Sequence, residues 1–316
     1  MKHHFPVLSE EVIKNLAIKK NGIYIDCTLG FAGHSSEILK KINEKGFLIG
    51  FDLDPYALKK AKEKLQYVKN KKFSLYHKSY CEFPGTLYEL GINKVDGFLF
   101  DLGISSHQID SEHRGFSYAR KGKLDMRFNP DNQLDAREYL YNINENELIL
   151  LIKTFAEISH AKKVAKKIIC MREQNKMETT EDLKKAIYDS LGGCNNKILS
   201  RVFQSIRIGV NDEINNFKKT LKLAPQFLKK GGRIAVISFH SIEDRIVKHF
   251  FKNNIIMNEY DYFKPEENFN QHSFKIITKK PIIASKKEIL ANSRSKSAKL
   301  RVAELVWRKK IKKINL

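Results

Sequence analysis

The chain has 316 residues, 42% of them hydrophobic, which is enough for a sizeable core in one large domain or two. A net charge of +22 points to a polyanionic partner. No apolar run of roughly 18 residues and no apolar leader is present, so neither a membrane span nor a secretory signal is expected. The cysteines, Cys27, Cys81, Cys170 and Cys194, show no C-x-x-C spacing. They read as isolated thiols in a reducing cytoplasm and exclude a zinc or disulfide framework. With no membrane signal, nucleic acid is the expected polyanion, although a lysine-biased composition alone can also raise the charge.

In chain order, residues 23–28 read as a buried strand that runs into a glycine loop at 30–33. An amphipathic helix follows, with Ile38, Leu39 and Ile42 on one face. Residues 47–51 read as the second strand, ending in acid at Asp52. A lysine-rich helix is expected around 55–68, and a third strand at 72–76. The largely apolar run at 95–102 reads as a central parallel strand and carries Asp101 at its end. The next convincing strand is 233–239, after Gly231 and Gly232. The sequence between has a helical period, as in Ala161, Val164, Ala165, Ile168 and Ile169. Thr180 is the expected cap of a helix that stops at Gly192 and Gly193.

Residues 111–211 are therefore expected to form an all-helical insertion, with 1–110 and 212–316 forming the sheet domain. A helix at 212–228, bent at Pro225, returns the chain to the sheet. Strands at 274–278 and 301–307 finish it as an antiparallel pair. Residues 253–271 read as a mobile loop, and 308–313 as a basic tail.

Strand, glycine turn, helix, strand, acid is the opening of a doubly wound nucleotide-binding sheet. Asp52 follows Gly30 by about 20 residues, where a carboxylate can take both hydroxyls of a ribose. The loop reads G-x-x-G, so it lacks the G-x-G-x-x-G cradle for a pyrophosphate. A ligand with a ribose and no phosphates, such as S-adenosylmethionine, fits it better. Ligands of such sheets bind at the carboxyl ends of strands, which puts Asp52 and Asp101 at the mouth of the site.

Several further segments match one family. They are H-F-P-V-L at 4–8, T-L-G-F-A-G-H-S at 28–35, D-L-D-P at 52–55 and D-L-G-I-S-S-H-Q-I-D at 101–110. Then come R-G-F-S-Y at 114–118, L-D-M-R-F at 124–128 and R-V-F-Q-S-I-R-I-G-V-N-D-E at 201–213. S-F-H-S-I-E-D-R-I-V-K at 238–248 and N-S-R-S-K-S-A-K-L-R at 292–301 complete the series, in order and over nearly the whole chain. The chain resembles the RsmH (MraW) family of ribosomal RNA small-subunit cytosine-N4 methyltransferases.

The resemblance implies an α/β fold of the class I S-adenosylmethionine-dependent methyltransferase type, with a helical insertion for RNA recognition. It implies S-adenosyl-L-methionine as donor and no metal. It implies a cytidine in the decoding region of 16S rRNA, within the small ribosomal subunit, as substrate. By the family pattern, Ala32, Gly33 and His34 would hold the cofactor in the loop and Asp52 its ribose. Tyr80 would lie near the adenine, and Asp101 and Gln108 near the methionine end.

Asp101 is also the expected catalytic carboxylate. Candidate substrate contacts are Ser105, Ser106, Arg114, Arg127, Arg207 and His240. The sequence departs from the pattern in having Ala32 where glycine is usual and His107 where proline is usual.

Each singled-out residue has a plainer reading. His34 can cap a helix beginning near Ser35, and Ser105 and Ser106 can be turn formers. The three arginines can pin loops instead of facing RNA. His240 and Tyr80 can be core residues. Glu243, Asp244 and Arg245 read as a structural ion-pair turn. Two other functions compete: a nicotinamide-dependent oxidoreductase, disfavoured by the G-x-x-G loop, and a ribosome-binding factor without activity, disfavoured by intact Asp52 and Asp101.

Overall fold

The computed structural model describes residues 6–68, 71–253 and 272–307. The expected loop at 253–271 lies, but for residue 253, outside them, as does the basic tail. The chain forms two compact units, Met1–Gly103 together with Asn216–Leu316, and Ile104–Asn215. The insertion expected at 111–211 falls inside the second.

The first unit opens with helix α1 (Ser9–Leu16), then β1 (Ile23–Asp26), α2 (Gly33–Lys41), β2 (Phe47–Asp52) and α3 (Pro55–Leu65). β3 (Lys72–His77), α4 (Phe83–Glu89) and β4 (Val95–Asp101) follow. β4 is buried along its length up to Asp101, which is why it reads as an apolar run. Asp96 interrupts that run near its start. It is buried, and it accepts bonds from Lys19 Nζ (3.0 Å), Lys229 Nζ (2.6 Å) and the Ile23 N–H (3.0 Å). These partners hold its pKa below the ordinary carboxylate value although burial acts to raise it.

The second unit holds α5 (Ser106–Asp110), α6 (Ala136–Asn142), α7 (Glu145–Ala156), α8 (Ala161–Glu173), α9 (Thr180–Leu191) and α10 (Asn196–Asn211). Val164, Ala165 and Ile168 of α8 lie in one apolar core with Leu148 and Ile152 of α7 and Val202 of α10. The period of 3.6 read in the sequence is therefore a buried stripe. The cap of α9 is Thr179, not Thr180. Thr179 Oγ1 accepts from the Asp182 N–H and Asp182 returns the bond, while Thr180 is the first helical residue.

The chain returns through α11 (Glu213–Phe227), with Pro225 in its last turn, to β5 (Leu228–Ser238) and α12 (Ser241–Asn253). β6 (His272–Ile276), β7 (Ile282–Ile283), α13 (Lys286–Ala291) and β8 (Lys299–Trp307) complete the unit. The sheet order is β3-β2-β1-β4-β5-β8-β6, with β7 also on β8. The first five strands are parallel, and β8 runs antiparallel to β5, β6 and β7. The expected antiparallel close is present. It begins earlier than read from sequence in both strands and includes the short β7, which the sequence did not suggest.

Candidate active site

The chain reverses just past β1. The Leu29 N–H donates to the Phe51 carbonyl (2.9 Å) and the Ala32 N–H to the Leu29 carbonyl (2.8 Å). Gly30 has φ +51°, and a Cβ there would meet no atom within 4 Å, so this side of the loop is open. Ala32 is fully buried and also left-handed, with φ 55°. An L-residue pays for that conformation where glycine does not. α2 starts at Gly33, whose Cβ position is only 2.9 Å from Pro6 Cβ. His34 therefore sits in the first turn and is not the cap. The cap position is Ala32, which has no side-chain oxygen.

Asp52 ends β2. Its Oδ2 accepts the Gly30 N–H (2.7 Å) and its Oδ1 accepts the Asp54 N–H (2.8 Å). Burial pushes its pKa up to about 6 against the pull of these two bonds. A carboxylate oxygen has two lone pairs, so each retains one for a further donor. The loop and the acid are thus fastened to each other, with acceptors left for a diol.

Asp101 ends β4, and its N–H donates to Thr28 Oγ1 (2.6 Å). Its Oδ2 lies 3.6 Å from His34 Nε2. Its Oδ1, and both ring nitrogens of His34, are buried with no hydrogen-bond partner among the described residues. Tyr80 opens a 3-10 turn (Tyr80–Glu82) and packs edge-on against Phe100 at 5.8 Å.

Asp26 joins this group and was not foreseen, although the acid closing the first strand was a visible signal. It is 1% exposed, and burial raises its pKa. It accepts from the Ser35 hydroxyl (2.6 Å) and the Thr28 N–H (3.2 Å).

The remaining candidates are engaged in structure. Ser105 caps α5: its Oγ accepts the Gln108 N–H (3.2 Å), and Gln108 Oε1 accepts the Ser105 N–H (2.9 Å). Ser106 is the first residue of that helix. Arg114 donates to the carbonyls of Arg127 (2.8 Å) and Phe128 (3.1 Å). Arg127 pairs with Asp125 through Nη2 (2.7 Å) and Nε (2.9 Å). Arg207 is buried in a bidentate pair with Glu213, at 2.7 and 3.0 Å. These three guanidinium groups bond to carbonyls and carboxylates of neighbouring loops and helices.

His240, past the end of β5, has Nε2 3.0 Å from Glu243 Oε1. The turn expected from Glu243, Asp244 and Arg245 is built differently. Glu243 Oε2 accepts the Phe239 N–H (2.8 Å), and Asp244 pairs with Arg301 (2.6 Å) and Lys299 (3.3 Å) on β8. The pairing crosses to another element, which local spacing cannot reveal.

A parallel sheet in the order 3-2-1-4-5 with an antiparallel strand beyond is the class I methyltransferase arrangement. Its glycine turn follows β1, and carboxylates close β2 and β4. A profile of the MraW methylase family matches residues 1–306, and the chain belongs to that family. It is 43% identical over 314 residues to the ribosomal RNA small subunit methyltransferase H of Clostridioides difficile (strain 630), covering 96% of this chain and 99% of that one. It is 43% identical over 303 residues to the protein of the same name from Mycoplasmopsis pulmonis (strain UAB CTIP), again covering 96% and 99%.

S-adenosylmethionine is the donor of this family. The open side of Gly30, the spare acceptors of Asp52 and the unpaired buried oxygen of Asp101 suit a ligand with a ribose and a cationic tail. Among the described residues no cluster of metal-ligating side chains is present, and no helix is long and apolar enough to cross a membrane.

Proposed function

We propose that this protein methylates the N4 amine of a cytidine in the decoding region of 16S rRNA, acting in the cytoplasm on the small ribosomal subunit. The observation that carries the reading is Asp101: a carboxylate closing the central strand β4, with Oδ1 buried and unpaired, in a chain that matches small-subunit rRNA methyltransferases over nearly its full length.

In this reading the backbone at Ala32, Gly33 and His34 lines the cofactor. Asp52 takes the ribose hydroxyls, Tyr80 flanks the adenine, and Asp101 stands at the methionine end. When bound, S-adenosylmethionine supplies an electrophilic methyl group on a sulfonium. The exocyclic amine of cytosine is a poor nucleophile, because its lone pair is delocalised into the ring. It gains positive charge as it is methylated. A carboxylate that accepts its N–H binds that transition state more tightly than the ground state and takes the proton afterwards. The base must leave its stack to reach such a site.

The charge of +22 supports binding to RNA through phosphates, with affinity that falls steeply as salt rises. The helical unit is the proposed docking surface. Ser105, Ser106, Arg114, Arg127 and Arg207 serve it by holding its loops in shape, and His240 stands at the strand end as a substrate contact. The test is methyl transfer from labelled S-adenosylmethionine to small subunits purified from cells that lack this gene, followed by mass spectrometry of the rRNA nucleosides. N4-methylcytidine is the expected product. Label on another nucleoside, or on none, would sink the assignment.

A further inference from the structure

In the reading above, the loop backbone at 32–34 serves the cofactor and the His34 imidazole is left over. That side chain turns inward. His34 is 4% exposed, and neither Nδ1 nor Nε2 has a hydrogen-bond partner among the described residues. Burying two unpaired ring nitrogens is costly, so an imidazole kept this way points to a use. Its Nε2 lies 3.6 Å from Asp101 Oδ2, just beyond hydrogen-bond length, and a small rotation of either side chain closes the gap. Asp26, on β1, is a further carboxylate that interacts with it. Asp26 already accepts from Ser35 and Thr28. Of the three, His34 and Asp101 are the pair with valences to spare.

We propose that His34 is a positioning residue for methyl transfer: its Nε2–H donates to Asp101 Oδ2 and so turns Oδ1 toward the amine. This rests on the reading of Asp101 as the acceptor for that amine. As the nitrogen–carbon bond forms, the carbon–sulfur bond breaks with its electron pair left on sulfur, and the amine proton goes to Oδ1. Oδ1 is buried, so Asp101 gives this proton to water once the methylated base has left the site. A neutral imidazole donates this bond without adding charge.

The test is the rate on small subunits at saturating cofactor for the wild type, His34→Leu, His34→Gln and Asp101→Asn. Calorimetric cofactor affinities and unfolding curves accompany it. His34→Leu should lower the rate about a hundredfold while the dissociation constant moves by no more than about threefold. His34→Gln, whose amide N–H can reach where Nε2 does, should recover about tenfold of that loss.

A cofactor affinity that collapses in His34→Leu with an unchanged saturated rate would overturn the proposal and leave the imidazole a cofactor ligand. A saturated rate in His34→Gln no higher than that of His34→Leu would overturn it as well, and His34→Ala takes the place of His34→Leu if that variant fails to fold. Asp101→Asn separates the two readings. A lowered rate there, with none in His34→Leu, removes only the role of His34. An unchanged rate in Asp101→Asn removes both.

Discussion

The polar residues at the strand ends of the sheet unit and those of the helical unit are held on opposite terms. In the helical unit Arg127, Arg207, Ser105 and Asn211 spend donors and acceptors on neighbouring carbonyls, carboxylates and amides. At the strand ends of the sheet unit Asp101 and His34 keep buried polar atoms unpaired, and Asp52 keeps one lone pair on each oxygen. A fold that satisfies its polar groups in one place and leaves them unsatisfied in another marks the second as the place for a ligand. Polar residues of the first kind give the chain its shape, and those of the second kind give it a reaction.

The largest effect that separates the two is expected at Arg207. Replacing it with alanine leaves Glu213 buried without its partner, which should cost about 3–5 kcal/mol of stability. Chemical denaturation would show it as a lowered midpoint. An unchanged midpoint with weakened RNA binding would move Arg207 into the other group.

Asp101→Asn should act on the opposite quantity. The saturated methyl-transfer rate should drop by about a hundredfold or more, with little change in cofactor affinity or in stability. Single-turnover kinetics with preloaded cofactor measure this directly. Loss of cofactor binding at an unchanged saturated rate would make Asp101 a cofactor ligand alone.

Asp52→Ala should weaken S-adenosylmethionine binding by about 2–3 kcal/mol, the scale of lost bonds to a charged group. Calorimetry across pH sharpens the point. Asp52 accepts two hydroxyls only as a carboxylate, and its pKa in the free protein is about 6. Below that pH the cofactor competes with a proton, so affinity should fall about tenfold per unit, and Asp52→Asn should abolish the dependence. The linked effect on folding has the reverse sense. Stability from this group is fully present below the ordinary carboxylate value of 3.8 and is lost as pH rises to about 6.

The smallest effect concerns Ala32. Glycine at this left-handed position should raise stability by about 1 kcal/mol, read as a modest rise in the unfolding midpoint, with cofactor affinity retained. A loss of stability would mean that the Ala32 methyl packs too well to give up.

The sheet unit was largely legible in the sequence, because buried parallel strands read as apolar runs and their ends carry the acids. Residues 23–28, 47–51 and 95–102 show this directly. The helical period likewise located α7 to α9. What escaped was set by backbone conformation or by distant partners. The first helix, α1, is bounded by Leu8 and Ala17, both left-handed without glycine. The start of α2 is likewise set by left-handed Ala32, so His34 lies inside the first turn and not at the cap. The two-residue β7 is too short for any period. Whether an arginine pins a loop or faces RNA depends on partners such as Asn211, whose Oδ1 accepts the Phe128 N–H from 83 residues away, and no local pattern encodes that.

The order of the strands has a consequence for how the chain reaches this state. β8 is the last strand in sequence, yet it lies inside the sheet, between β5 and β6. During synthesis the helical unit, which is one continuous segment, can close on itself while β5 still waits as an open edge. Until β8 arrives, that edge offers unpaired amides and carbonyls to any other strand nearby. A nascent or truncated chain lacking β8 should therefore be the form most prone to aggregate and most in need of a chaperone.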